Sequence, residues 1–152
     1  MPVDPQAVTL AAIAALAGFA AFGDKLGNVL KIWKQFRAQP NNTASNYFRD
    51  LGDAFAKVHA ELKESRVPRI DGNRLNTLLQ SFETKTNPVR GEKITPELQS
   101  SLAAAAKGAK TLDAWILDNL QLSDAQRQQL LRSIERAAGQ CMALSTLLKR
   151  DA

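Results

Sequence analysis

Phe48–Leu62 reads FRDLGDAFAKVHAEL, with Phe48, Leu51, Phe55, Val58 and Leu62 in alternating steps of three and four. That spacing puts the five side chains on one stripe of a helix. Arg49, Asp53 and Lys57 lie on the opposite face, with Glu64 just beyond. The segment is therefore a half-buried helix whose apolar face packs on a core. Val67–Gly72, with Pro68 and Gly72, is expected to break it.

The same period recurs downstream. A short helix carries Leu75, Leu78, Leu79 and Phe82, and a ten-residue loop is expected over Thr86–Thr95. Thr95-Pro96-Glu97 reads as a helix start, Thr95 as N-cap and Pro96 in the first turn. The helix that follows places Leu98, Leu102, Ala105, Ala109, Leu112 and Ile116 on its inner side. Its middle, Ala103–Ala109, is built of small residues that let a neighbour approach closely. Ser123-Asp124-Ala125-Gln126 fits a capping box, and the last helix aligns Leu130, Ile134, Ala137, Cys141, Leu144 and Leu148 on one seam.

Upstream lies the most unusual stretch, Gln6–Gly23: QAVTLAAIAALAGFAAFG, 18 residues without a charge. Leu10, Ile13, Leu16, Phe19 and Phe22 are spaced through alanine. A helix apolar on every side is buried in protein or placed in lipid. Pro5, after a possible N-cap at Asp4, suits its first turn, and Gly23-Asp24 is expected to break or kink it. A basic amphipathic segment with Leu26, Val29, Leu30, Trp33 and Phe36 then runs to Pro40. The flank before the apolar run is acidic at Asp4 and the basic residues come after it, which is the reverse of a secretory signal peptide.

These readings give an all-α fold: one domain over 1–152, with an apolar N-terminal helix over 5–23 and amphipathic bundle helices over 24–152, about five or six in all. No segment alternates as a strand does. With 45% hydrophobic and 23% charged residues, the composition is that of a chain able to form a core, which excludes a disordered tail.

Chemistry has little purchase on this sequence. The single histidine, His59, and the single cysteine, Cys141, lack a third group to orient them, and Cys141 sits in an apolar helical pattern. Neither clustered metal ligands nor a phosphate-cradling glycine loop is present, so no enzyme activity, metal or cofactor is expected. The net charge of +5 and pI of about 9.6 favour acidic partners. Arg127, Arg132 and Arg136 lie along the last helix, but Asp124 and Glu135 interrupt them. Nucleic acid is for that reason the weaker choice.

An anionic membrane fits more features. Leu10, Ile13, Leu16, Gly18, Phe19 and Phe22 are the candidate inserting residues. Lys25, Lys31, Trp33, Lys34 and Arg37 are the candidate contacts to anionic lipid, since aromatic and basic residues favour the interface beside an inserted helix. Ala14 and Gly18, with Ala11 and Ala15, would let such helices pack tightly in lipid. The same alanine-rich pattern also suits a helix that is simply core.

The block from Pro5 through QAVTLAAIAALAGFAAFGDKLGNVLKIWKQF to Arg37 resembles the HeLo domain of fungal programmed-cell-death proteins and its bacterial counterparts, the Bell domains. It is more distantly similar in plan to the four-helix bundle of the necroptosis pseudokinase. The resemblance covers about the first quarter of the chain. It implies a membrane-permeabilising effector of immunity or antagonism, whose first helix is held in the bundle and inserts after self-association. It further implies an upstream sensor protein and a cytoplasmic resting state that relocates to the inner face of the plasma membrane. The alternative is a soluble helical interaction or adaptor module with the first helix as core. A first helix fully buried within the bundle suits the effector; an exposed amphipathic face on it favours the module.

Overall fold

The structure is a computed structural model that describes residues 13–35, 41–82, 84–86, 96–112 and 122–149. It is an all-α bundle with an apolar N-terminal helix, and no strand occurs among the described residues. We label the long helices α1 (Gly18–Gln35, after a helical turn at 13–16), α2 (Asn42–Lys63), α3 (Arg69–Gln80), α4 (Pro96–Thr111) and α5 (Asp124–Leu148).

The helices end where local chemistry ends them. The Asn41 side chain accepts the Ala44 N–H at 2.9 Å to start α2. At the far end Arg66 N–H reaches back to Glu61 O at 2.8 Å and Ser65 N–H to Leu62 O at 3.0 Å. With Ser65 at a φ of 61°, this is a Schellman stop made without glycine. The capping box expected for α5 is present: Ser123 Oγ accepts Gln126 N–H at 3.2 Å, and Gln126 Oε1 accepts Ser123 N–H at 2.9 Å. Arg127, one turn on, donates to Leu62 O at 2.7 Å and tethers the end of α2 to the start of α5.

The five helices close a ring. α1 packs between α4 and α5, α5 between α1 and α2, and α3 between α2 and α4. Ala15 and Gly18 face Gly108 and Ala104, so α1 and α4 run antiparallel; Gly23 and Gly27 face Ala137 and Gln140, so α1 and α5 rise together. Aromatic rings fill the centre. Phe19 meets Phe55 edge-on at 5.9 Å, Phe22 meets Phe82 at 5.8 Å, and Phe48 meets Phe82 at 5.9 Å. Such edge-to-face pairs add to the burial of the rings themselves. The expected seam of α5, from Leu130 to Leu148, is buried throughout. Of the α2 stripe, Phe48, Leu51, Phe55 and Val58 are buried, while Leu62 and, on α4, Leu102 are only partly covered. Thr95 and Ile116 lie outside the described residues.

Three expectations change. The first helix does not break at Gly23-Asp24: α1 is continuous through both. Glycine at position 23 costs the helix about 1 kcal/mol relative to alanine, but burial of Leu26 and Trp33 keeps the pattern going, and a methyl there would have ordinary room before Ala137 at 3.7 Å. The irregular point lies earlier, at Ala17, whose carbonyl takes the N–H groups of both Ala20 at 3.1 Å and Ala21 at 3.5 Å. Second, the break after α2 is confined to Glu64–Pro68. Arg69 to Gly72 are already helical, and Gly72 serves close packing on Leu112 rather than a turn. Third, the N-terminal helix, apolar on every side over its charge-free part, is not buried on every side. It is one wall of the ring, with an outer face.

Candidate functional site

That outer face and the two seams beside it define the site. Leu16, Gly18, Phe19 and Phe22 point into the ring and are buried, and Ile13 is partly buried. Leu10 lies outside the described residues. On the opposite side Ala14, Ala17 and Ala21 are exposed. Before Asp24, then, α1 shows water nothing but methyl groups. From Asp24 onward the exposed positions turn polar, with Asn28, Lys31 and Lys34, Ile32 excepted. The helix is therefore not fully buried, and over its charge-free part it is not amphipathic either.

The basic end divides differently from expectation. Lys31 and Lys34 are exposed and Lys25 is partly so, while Arg37 lies outside the described residues. Trp33 is turned inward: it is 8% exposed and packs edge-on against Phe48 at 6.1 Å. In this state it is a core residue and offers lipid nothing. Ile32, 49% exposed between the two lysines, holds the outward place instead. The sequence carries a signal for this in the helical step from Phe22 and Leu26 to Trp33, which continues the inner stripe.

How α1 is held sets it apart. The other helices are tied by polar links. Ser45 Oγ donates to Ser145 O at 2.7 Å and Ser145 Oγ donates to Ser45 O at 2.8 Å, joining α2 and α5 inside the core. Asn41 N–H donates to Leu148 O at 2.9 Å. Tyr47 OH donates to Leu78 O at 2.6 Å and Asn76 Nδ2 to Ala106 O at 3.0 Å, linking α2 to α3 and α3 to α4. Among the described residues, no hydrogen bond joins α1 to another helix, and its polar tie is one surface ion pair, Asp24 with Arg136. Apolar packing does the rest.

The packing is uneven. Against α4 the backbones nearly touch. A methyl at Gly18 would overlap the Ala104 carbonyl, and one at Gly108 would stand 2.8 Å from Ala15 O and 3.1 Å from the Phe19 ring. The small-residue middle of α4 was legible in the sequence; that its neighbour is α1 was not. Against α5 the seam opens at one end into a groove lined by Ile13, Leu16, Ala17 and Ala20 on one side and by Leu122 and Leu130 with Gln126, Gln129 and Ser133 on the other.

Burial pushes both the Cys141 thiol and the Tyr47 hydroxyl well above their ordinary ranges, so neither ionises near neutrality. His59 stands 3.9 Å from Glu135 across the α2–α5 seam, half-shielded. Among the described residues no three His, Cys, Asp or Glu side chains converge on a point that could hold a metal ion. No family model, curated protein or solved structure matches this chain.

Proposed function

We propose that this chain is a membrane-permeabilising cell-death effector, resting in the cytoplasm as a closed ring and acting at the inner face of the plasma membrane after self-association triggered by an upstream sensor. The observation that carries this reading is that, among the described residues, α1 is held by apolar contacts and one surface ion pair. Apolar contacts can be exchanged for lipid without stranding a polar group, whereas the buried serine and tyrosine links of the other helices cannot. The helix from Ile13 to Lys34 is long and apolar enough to cross a membrane. Inserted as a helix, the charge-free run of 18 residues would span about 27 Å, close to the roughly 30 Å of a bilayer core. Asp24 and Lys25 would then lie at the interface, with Lys31, Lys34 and Arg37 against anionic headgroups.

In water α1 stays put. Leu16, Phe19, Phe22, Leu26 and Trp33 are buried, and at about 1.5–3 kcal/mol each their burial rivals the whole stability of a typical domain, about 5–15 kcal/mol. Release requires a surface that receives those side chains. The resemblance of the N-terminal block, Pro5 to Arg37, to HeLo and Bell domains points the same way. The exposed alanine face of α1 favours the second reading, a soluble interaction module, because a partner helix could lie on it as readily as lipid.

The two readings separate at Ala14, which is exposed near the middle of the charge-free run. Ala14→Glu should leave the bundle folded, with its melting temperature within a few degrees of the parent. It should abolish dye release from vesicles containing phosphatidylserine, since a charge at a helix centre costs about 2.5–3.5 kcal/mol on insertion. A parent chain that releases no dye under any condition that promotes its assembly would sink the membrane reading in favour of the module.

A further inference from the structure

Among the described glycines, the two with least room for a side chain both lie on the α1–α4 seam. Gly18 sits against the Ala104 carbonyl and Gly108 against the Ala15 carbonyl, one helical turn along in the antiparallel pair. On the other flank of α1 the close approaches run through side chains: Gly23 leaves ordinary van der Waals room before Ala137, Gly27 sits against the flexible Gln140 amide, and the seam opens at one end into the groove. α1 is thus seated backbone against backbone on one side and through side chains on the other. The polar links among α2, α3 and α5 do not use this seam: Ser45 with Ser145, Arg127 with Leu62, and Tyr47 with Leu78 all lie away from it.

We propose that the α1–α4 seam is an intramolecular latch, in which the Gly18–Ala104 and Gly108–Ala15 contacts hold α1 in the ring, and that widening it frees α1 while α2, α3 and α5 stay packed. The consequence for membranes rests on the function proposed above; the latch itself does not. A single methyl at either glycine drives the two backbones apart, because a backbone carbonyl cannot swing aside as a side-chain tip can. The methyl at Gly23 does not. All three substitutions put the better helix former, alanine, into a helix interior, so any loosening at Gly18 or Gly108 runs against propensity and reports the seam alone.

The test is hydrogen exchange followed by mass spectrometry on the full chain and on Gly18→Ala, Gly108→Ala and Gly23→Ala. The latch predicts that α1 amides exchange at least tenfold faster in the first two variants, with α2 and α5 as slow as in the parent and Gly23→Ala unchanged. It is overturned if Gly18→Ala and Gly108→Ala exchange like the parent. It is equally overturned if α2 and α5 lose protection together with α1, or if Gly23→Ala loosens α1 as much. Dye release from phosphatidylserine vesicles is measured alongside. Faster α1 exchange with increased release supports both proposals; faster α1 exchange with no release leaves the latch standing and removes the membrane function.

Discussion

Cys141 shows how much one position of this chain depends on its surroundings. The thiol is fully buried beneath α2, where a methyl on Gly52 would meet its Cβ at 3.2 Å. Burial raises its pKa far above the ordinary thiol range. The thiolate is the nucleophile, so the folded protein should resist a thiol-specific reagent at pH 8 and react stoichiometrically only in denaturant. Fast reaction of the native chain would show that the α2–α5 seam opens. The serine pair across the same seam is a sharper case. Ser45→Ala removes the donor to the buried Ser145 carbonyl and the hydroxyl beside Ser145 Oγ, while Ser145 Oγ keeps its bond to the carbonyl of residue 45. A loss of about 1–3 kcal/mol is expected in urea unfolding, the range for stranding a buried polar group. Asp53 behaves otherwise. The hydrogen bond from Arg74, at 2.9 Å, holds its carboxyl below the usual range, with Lys57 adding to the effect. Its contribution is therefore complete above the ordinary carboxylate pKa and is lost as pH falls through the lowered one. Because the group is half-exposed, Asp53→Asn should cost less than about 1 kcal/mol at pH 7, and the difference from the parent should vanish on acidification.

At the scale of elements, the periodic stripes were legible and their interruptions were not. Phe48 to Val58 and Leu130 to Leu148 announce helices because each fills a face at 3.6-residue spacing, and both are buried where the spacing puts them. Gly23 and Gly72 misled because glycine signals either a break or a close neighbour, and only the packed fold decides between them. Gly72 stands over Leu112, and Gly23 leaves room before Ala137. Trp33 misled for a related reason: next to lysines it reads as an interface anchor, yet it lies on the inner line of α1. The orientation of α1 also decides which substitutions are informative. Leu16→Glu and Phe19→Asp put a charge at buried positions, and each should cost several kcal/mol and abolish the cooperative thermal transition. Loss of activity in these variants would report unfolding. Ala14 and Ala21, exposed on the same helix, carry no such penalty.

At the scale of the whole molecule, closure of the ring makes every helix depend on two neighbours, and the sequence gives no clue to which two. The parallel placement of α1 beside α5 follows from contacts between residues more than a hundred positions apart, such as Gly23 with Ala137, which no local pattern encodes. The distribution of charge, in contrast, is plain in the sequence. From Lys25 to Arg49 there are five cations and no acid, and the structure shows Lys31 and Lys34 exposed on either side of Ile32. Neutralising Lys31, Lys34 and Arg37 together should leave the melting temperature nearly unchanged, because exposed charges contribute little to stability. Each lysine or arginine at an anionic surface contributes about 1 kcal/mol, so the triple variant should bind phosphatidylserine vesicles on the order of a hundredfold more weakly in a sedimentation assay. Raising the salt should erase the difference, since the attraction extends only about a Debye length. Equal binding by parent and triple variant at low salt would mean that these cations are a solvated face and that any affinity for membranes resides in the apolar helix alone.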